Sequence, residues 1–254
     1  MKSFGLRTEL DFGGDGFPMR MLLKILLTGL GALALVLVGI FAWLEFDSSG
    51  LPNMGDLARF APAKPAQVSD PCQGAWIVAI SYESIGDNLR AALEAAEVGE
   101  DAPGVLSEIL QGSSNHGRVH TALSLHISRT IFCAPDKPLK RDLDEIRGAV
   151  QLERRFSRRE LFTIFANRLY FGENTVGVEA AAQHYFHKEP NQLQLGEAAL
   201  LAGLVKAPSR FSPTKHPDHA LQRRNEVIDE MVNEHFISES DAAAAKSMPL
   251  PPMN

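Results

Sequence analysis

The stretch RDLDEIRGAVQLE, Arg141 to Glu153, sets an acid among apolar neighbours. Glu145, Ala149 and Leu152 fall at helical spacing, so the carboxylate shares a face with groups that pack inward. An acid in such a place must be paired, bind a metal or carry a raised pKa. Arg141, four residues earlier, offers an ion pair, and Lys140 stands beside it. More acids close the stretch DNLRAALEAAEVGED. Glu97 follows Leu93 by four residues and so lies near the buried side of its helix; Glu100 follows Gly99 and reads as exposed, with Asp101 next. Carboxylates beside Arg and Lys groups can do acid–base work and neutralise an anionic leaving group. His184 and His187, at i and i+3, invite a metal, but a lone pair at that spacing reads as surface, and no protein-ligated metal site is assigned.

The elements that must position these groups are mostly helices. DNLRAALEAAE carries Leu89, Ala92, Leu93 and Ala96 at helical spacing. FSRREL is a helix start: Ser157 is the N-cap, Glu160 completes a capping box, and Phe156 and Leu161 sit where a hydrophobic staple would. That helix is expected to run through LFTIFANRLY and stop near Gly172. ALQRRNEVIDEMVNEHF is amphipathic and begins near Pro217. SESDAAAAK is a last short helix capped by Ser238 and Asp241. In GVEAAAQHYFHK, small residues at Gly177, Ala180 and Ala181 share a side with His184 and allow a close backbone approach, and Tyr185 and Phe186 need a pocket. AWIVAISY, Ala75 to Tyr82, is the one plausible strand. The pattern is all-α, without internal repeats.

The 254 residues are 45% hydrophobic with a formal charge of −6, which suits one globular domain with attachments and argues against a general nucleic-acid binder. Ile25 to Leu44 is a run of twenty residues without a charge, about 30 Å as a helix, the thickness of a bilayer core. Arg20 and Lys24 precede it, and Glu45 and Asp47 follow. The positive flank puts the N-terminus in the cytoplasm and the rest outside. An uncleaved anchor is expected; a cleaved signal peptide would have a shorter apolar core and a small-residue cleavage site. The organisation expected is a disordered tail over 1–20, an anchor over 21–46, a linker over 47–72 and a domain over 73–250. The two cysteines, Cys72 and Cys133, both fall on the exported side, where they can pair or stay as thiols.

The segment ANRLYFGENTVGVEAAAQHYFHKEPNQLQLGEAALLAGLVKAPSRFSP, Ala166 to Pro213, resembles the C-terminal half of the peptidoglycan glycosyltransferase domain, glycosyltransferase family 51. That family reads LN-x-x-YFG, G-x-x-AAA-x-x-YFGK, L-x-L-x-EAALLAGL and AP-x-x-x-SP. The matches here include Asn167, Tyr170 to Gly172, Gly177, Ala180 to Ala182, Tyr185, Phe186, Lys188, Glu197 to Gly203, Pro208 and Pro213. The resemblance implies a lysozyme-like α fold that polymerises lipid II into glycan strands. One membrane helix with one such domain resembles the monofunctional biosynthetic type.

The resemblance also assigns the chemistry. The family's third motif, RK-x-x-E-x-x-x-A-x-x-LE, is matched by Arg141, Glu145, Ala149, Leu152 and Glu153, with Asp142 at the lysine position and Lys140 nearby. It makes Glu145 the second cleft carboxylate, and Lys140 and Arg141 substrate-binding cations. The second motif, GGSTITQQ, corresponds to VHTALSLH, Val119 to His126; Thr121 and Ser124 keep hydroxyls, Arg129 keeps a cation, and both glycines and both glutamines are replaced. The first motif, ED-x-x-F-x-x-H-x-G, carries the base. Alignment through NLRAALEAAE puts it at Glu97, followed by Val98; alignment on the Glu-Asp pair puts it at Glu100. Neither is followed by F-x-x-H-x-G. The resemblance implies a divalent ion, Mg or Mn, with the substrate pyrophosphate, no organic cofactor, and lipid II, the growing glycan, the membrane and cell-wall synthesis proteins as partners. The altered motifs leave a second expectation, a pseudoenzyme that binds lipid II or a partner without turnover.

Overall fold

The computed structural model describes residues 19–46, 54–70, 74–98, 124–128 and 138–250, in two compact units, Met1–Asp47 and Ser48–Asn254. The first unit contains helix α1, Met19–Phe46. Its described side chains, at 26–40 and 42, are all exposed, among them Leu27, Leu30, Leu35 and Val38. Among the described residues no helix is long and apolar enough to cross a membrane.

The second unit is mainly helical. It opens with a 3-10 helix, Met54–Phe60, and an antiparallel hairpin of β1, Ala66–Asp70, and β2, Ala75–Ala79, with Val68 opposite Ile77. Residues 54–70, expected to be linker, are therefore structured, and the hairpin holds two strands where one was expected. The physical reason lies in apolar residues that a Pro- and Ser-rich composition obscures: Leu57 and Phe60 at i and i+3, and Val68, are all buried. Alternation in the hairpin turns Val68, Asp70, Ile77 and Ala79 inward and leaves Trp76 and Val78 outside.

Helices α2, Tyr82–Ile85, and α3, Asp87–Val98, follow, hinged at Gly86. Gly86 has φ +83°, and a Cβ there would lie 2.5 Å from the Asn191 Cα, so only glycine fits. The expected stripe of α3 is the buried one: Leu89, Ala92, Leu93 and Ala96. Next come α4, Pro138–Arg155, and α5, Arg158–Arg168. The capping box on α5 forms as expected, with the Glu160 N–H donating to Ser157 Oγ and the Ser157 N–H to Glu160 Oε2. From Leu161 to Arg168 every residue of α5 is buried, which makes it the central helix of the unit. It ends at Arg168, earlier than expected. Leu169 is extended, and Tyr170 bridges Val176 around a turn in which the Thr175 N–H donates to the Gly172 carbonyl.

Then come α6, Val178–Phe186; a 3-10 turn, Pro190–Gln192; α7, Leu195–Leu204; α8, Pro217–Asn233; and α9, Glu239–Ser247. Helix α7 is apolar almost all round and packs against α3 and α8. The Asp241 N–H donates to Ser238 Oγ, the cap expected of α9. The buried side of α6 is Val178, Ala181, Ala182 and Tyr185; Ala180 is only half-buried and His184 is exposed, so the small-residue face is rotated from the one expected. Gly177 makes the close approach, since a Cβ there would lie 2.9 Å from the Asn167 carbonyl oxygen. Cys72 and Cys133 lie outside the described residues.

Candidate functional site

The candidate site is assembled on α3, on helical residues 124–128 and on α4. Glu97 sits in the last turn of α3; its backbone is described and its side chain is not. Glu100, Asp101, Thr121 and Arg129 lie outside the described residues. Ser124, Leu125, Ile127 and Ser128 are buried, and the His126 ring stands edge-on to Phe165 at 5.0 Å. Ser128 Oγ donates to the Glu145 carbonyl at 2.8 Å. This bond docks the second-motif segment onto the turn of α4 that carries the candidate carboxylate. It brings together two pieces that sequence reasoning could only align separately.

Glu145 is half-buried, while Ala149 and Leu152 on its side are buried, so the carboxylate stands at the edge of the apolar stripe. Lys140 and Arg141 begin the same helix, with only their backbone described. One ion pair on α4 is Asp144–Arg147, 3.1 Å at i and i+3, and both side chains are largely buried. Sequence reasoning missed it. The signal was present: Asp144, Arg147 and Gln151 fall at i, i+3 and i+7, and all three are buried.

Behind this frontage, the residues of the C-terminal pattern serve as scaffold. The Asn167 side chain accepts from the Ile80 N–H at 3.0 Å and donates to the Phe60 and Ile80 carbonyls at 2.8 Å each. Arg168 Nε donates to Asp70 at 2.7 Å in a buried pair, so α5 is tied to both the 3-10 helix and the hairpin. The Tyr185 hydroxyl donates to the Phe171 carbonyl at 2.9 Å, and burial pushes the phenol pKa up. Lys188 Nζ holds both oxygens of Glu197, at 2.8 and 2.9 Å, while the Gln194 N–H donates to the same carboxylate to cap α7.

Glu173 is a second hub. Thr214 Oγ1 donates to it at 2.6 Å and Ser212 Oγ at 3.2 Å, and His184 Nε2 lies 2.9 Å away. The Thr214 hydroxyl first, and then His184, hold this carboxyl below the usual range. His184 is thus engaged by an acid, while His187 closes α6 in the left-handed conformation, φ +55°. Among the described residues no group of three or more His, Cys, Asp or Glu side chains is placed to hold a metal ion.

This is a mainly helical domain with one candidate carboxylate, Glu97, in the last turn of α3 and another, Glu145, on α4 beside a buried hydroxyl-bearing segment. Residues 99–232 match the transglycosylase family, and the chain belongs to it. Glu100, Asp101 and Glu145 fall inside the matched region, and Glu97 lies two residues before it. The chain is 30% identical to penicillin-binding protein 1A of Vibrio cholerae, across 92% of this chain and 30% of that protein. It is 37% identical to penicillin-binding protein 1A of Aquifex aeolicus, across 56% of this chain and 19% of the relative. Penicillin-binding protein 1F of Bacillus subtilis is 35% identical across 58% and 20%. The chain therefore spans less than a third of the length of these relatives. Among solved structures, penicillin-binding protein 1A of Haemophilus influenzae is 29% identical, with a TM-score of 0.34 over 52% of this chain and 16% of that one.

Proposed function

We propose that this chain is a membrane-anchored peptidoglycan glycosyltransferase with a lysozyme-like fold that polymerises lipid II into glycan strands. The observation that carries the reading is the transglycosylase match over residues 99–232, with Glu145 inside it and the second-motif segment bonded to that residue's turn. In the reaction, the acceptor sugar hydroxyl attacks the donor anomeric carbon. The new glycosidic bond forms as the bond to the lipid pyrophosphate breaks, and a carboxylate takes the hydroxyl proton. Glu97 is the proposed base, with Glu100 the alternative. Lys140, Arg141 and Arg129 would neutralise the leaving pyrophosphate, with Glu145 handling its charge, and Thr121 and Ser124 would position the sugar. A divalent cation, Mg or Mn, would arrive bound to that pyrophosphate as part of the substrate.

Helix α1 would keep the domain at the bilayer where the polyprenyl tail lies. Its apolar side chains are exposed all round, which costs least in lipid. The positive flank supports an orientation in which residues 47–254 would lie in the periplasm of a bacterial inner membrane. A second reading, a pseudoenzyme that binds lipid II or a cell-wall synthesis partner, is favoured by one feature. The two positions where the family has glutamines hold Leu125, which is buried, and His126, whose ring stands edge-on to Phe165.

The deciding experiment incubates the full chain with lipid II and a divalent metal and looks for glycan polymer. Glu97→Gln keeps size and hydrogen bonding but removes basicity, and should slow turnover by about 10²–10⁴-fold. Glu145→Gln should also impair turnover; Glu100→Gln should be nearly silent. An inactive Glu100→Gln beside an active Glu97→Gln moves the base to Glu100. Binding of lipid II without polymer replaces the enzyme reading with the pseudoenzyme one.

A further inference from the structure

A cavity of about 270 Å³ opens where the segment after α7 meets the first turns of α8, and it belongs to none of the elements that carry the candidate carboxylates. It is lined by Lys206, Arg210, Phe211, His219, Gln222, Arg223 and Glu226. His219, Gln222, Arg223 and Glu226 lie at i, i+3, i+4 and i+7, so α8 presents one face to it. Three permanent cations and one carboxylate give the lining a formal charge of 3 − 1 = +2, on a chain whose total is −6. The carboxylate is turned to its own helix: Glu226 accepts from Gln222 at 2.9 Å and lies 3.4 Å from Arg223.

The cavity is also shaped. A Cβ on Gly203 would lie 2.9 Å from Arg223 Cγ, so the glycine in α7 makes room for the Arg223 stem, whose side chain is only 11% exposed. Arg210 stacks over Phe211 at 5.5 Å and remains exposed, as does Lys206. Two guanidiniums, an ammonium, an amide and an imidazole around one concavity form a donor set suited to phosphate oxygens. Guanidinium takes such an oxyanion by two parallel hydrogen bonds, and lysine adds a point charge.

We infer that this cavity binds a small phosphate-bearing anion, either a free phosphate or diphosphate group or an anionic lipid headgroup, at a site separate from the glycosyl-transfer residues. The test uses the full chain and follows the rate at which phenylglyoxal modifies individual arginines, by peptide mass spectrometry. The probes are sodium pyrophosphate and sodium phosphate, against sodium chloride at equal ionic strength. In parallel, phosphatidylglycerol vesicles are compared with phosphatidylcholine vesicles. Arg59, exposed on the 3-10 helix, is the reference. Pyrophosphate or phosphate should slow modification of Arg210 and Arg223 and leave Arg59 unchanged. Protection by phosphatidylglycerol vesicles alone assigns the site to a headgroup.

The double variant Lys206→Gln, Arg210→Gln changes two exposed side chains and should fold as wild type. It should weaken the protection of Arg223 by about tenfold or more. Equal protection of Arg210 and Arg59 by every probe, or undiminished protection of Arg223 in the double variant, overturns the inference.

Discussion

His187 ends α6 at φ +55°, a conformation in which a side chain crowds the following carbonyl. Glycine carries no such strain, although it loses more freedom on folding. His187→Gly should therefore raise stability by about 0.5–1 kcal/mol, read as a shift in the denaturant midpoint. Asn167 works in the opposite direction. Its side chain satisfies the Ile80 N–H and the Ile80 and Phe60 carbonyls in the interior. Asn167→Leu strands all three and should cost about 3 kcal/mol or more. An unchanged midpoint would show that water or neighbouring groups replace the amide. Glu173 sets a pH dependence. Its carboxyl is held below the usual glutamate range, chiefly by the Thr214 hydroxyl and then by His184. The unfolded chain thus binds a proton before the folded one does. The stabilisation is present above the unfolded value and fades as pH falls through the lower folded one. Melting temperatures of Glu173→Gln and wild type should diverge at neutral pH and converge in acid.

A side-chain hydrogen bond joins two of the elements that carry the candidate site. Ser128 Oγ donates to the Glu145 carbonyl and so ties segment 124–128 to α4. Ser128→Ala should cost only about 1 kcal/mol of stability. Turnover should fall by more than that loss explains, because the Glu145 turn is no longer held beside the second-motif segment. Parallel measurement of melting and polymerisation separates the two effects; a loss of activity no larger than the loss of folded protein argues that the bond is only structural. Arg224 on α8 is fully buried and donates to the Met248 and Lys246 carbonyls at 2.7 and 3.0 Å. It clamps the end of α9 to α8.

At the scale of the whole molecule the question is where the domain sits. Alkaline phosphatase fused after Asn254 should be active if residues 47–254 are periplasmic, and an inactive fusion of normal abundance contradicts the topology. Removing residues 1–46 should leave a folded second unit, because the buried core is formed by residues 57–245. That truncation should lose most of its association with the membrane fraction. If the chain polymerises lipid II as proposed, the truncation should do so more slowly at low substrate, where anchoring would raise the local concentration.

The amino-acid sequence by itself determined the helices with strong periodicity or caps: α3 through Leu89, Ala92, Leu93 and Ala96, α5 through Ser157 and Glu160, and α9 through Ser238. These signals are local, carried by residues within a turn or two, and the ordered pattern from Ala166 to Pro213 was legible enough to point to the family. Only the tertiary structure decided that residues 54–70 belong to the domain, that Asn167 and Arg168 fasten α5 to the 3-10 helix and the hairpin, and that Ser128 reaches Glu145. Each of these joins residues from 17 to 107 positions apart, and no spacing rule within a helix or strand reports on such pairs. The same limit hid Asp144–Arg147, whose i and i+3 spacing was plain but whose burial depends on what packs over α4. Burial is a property of the assembled core, and a stripe of charge on one helix acquires its meaning only when its neighbours are in place.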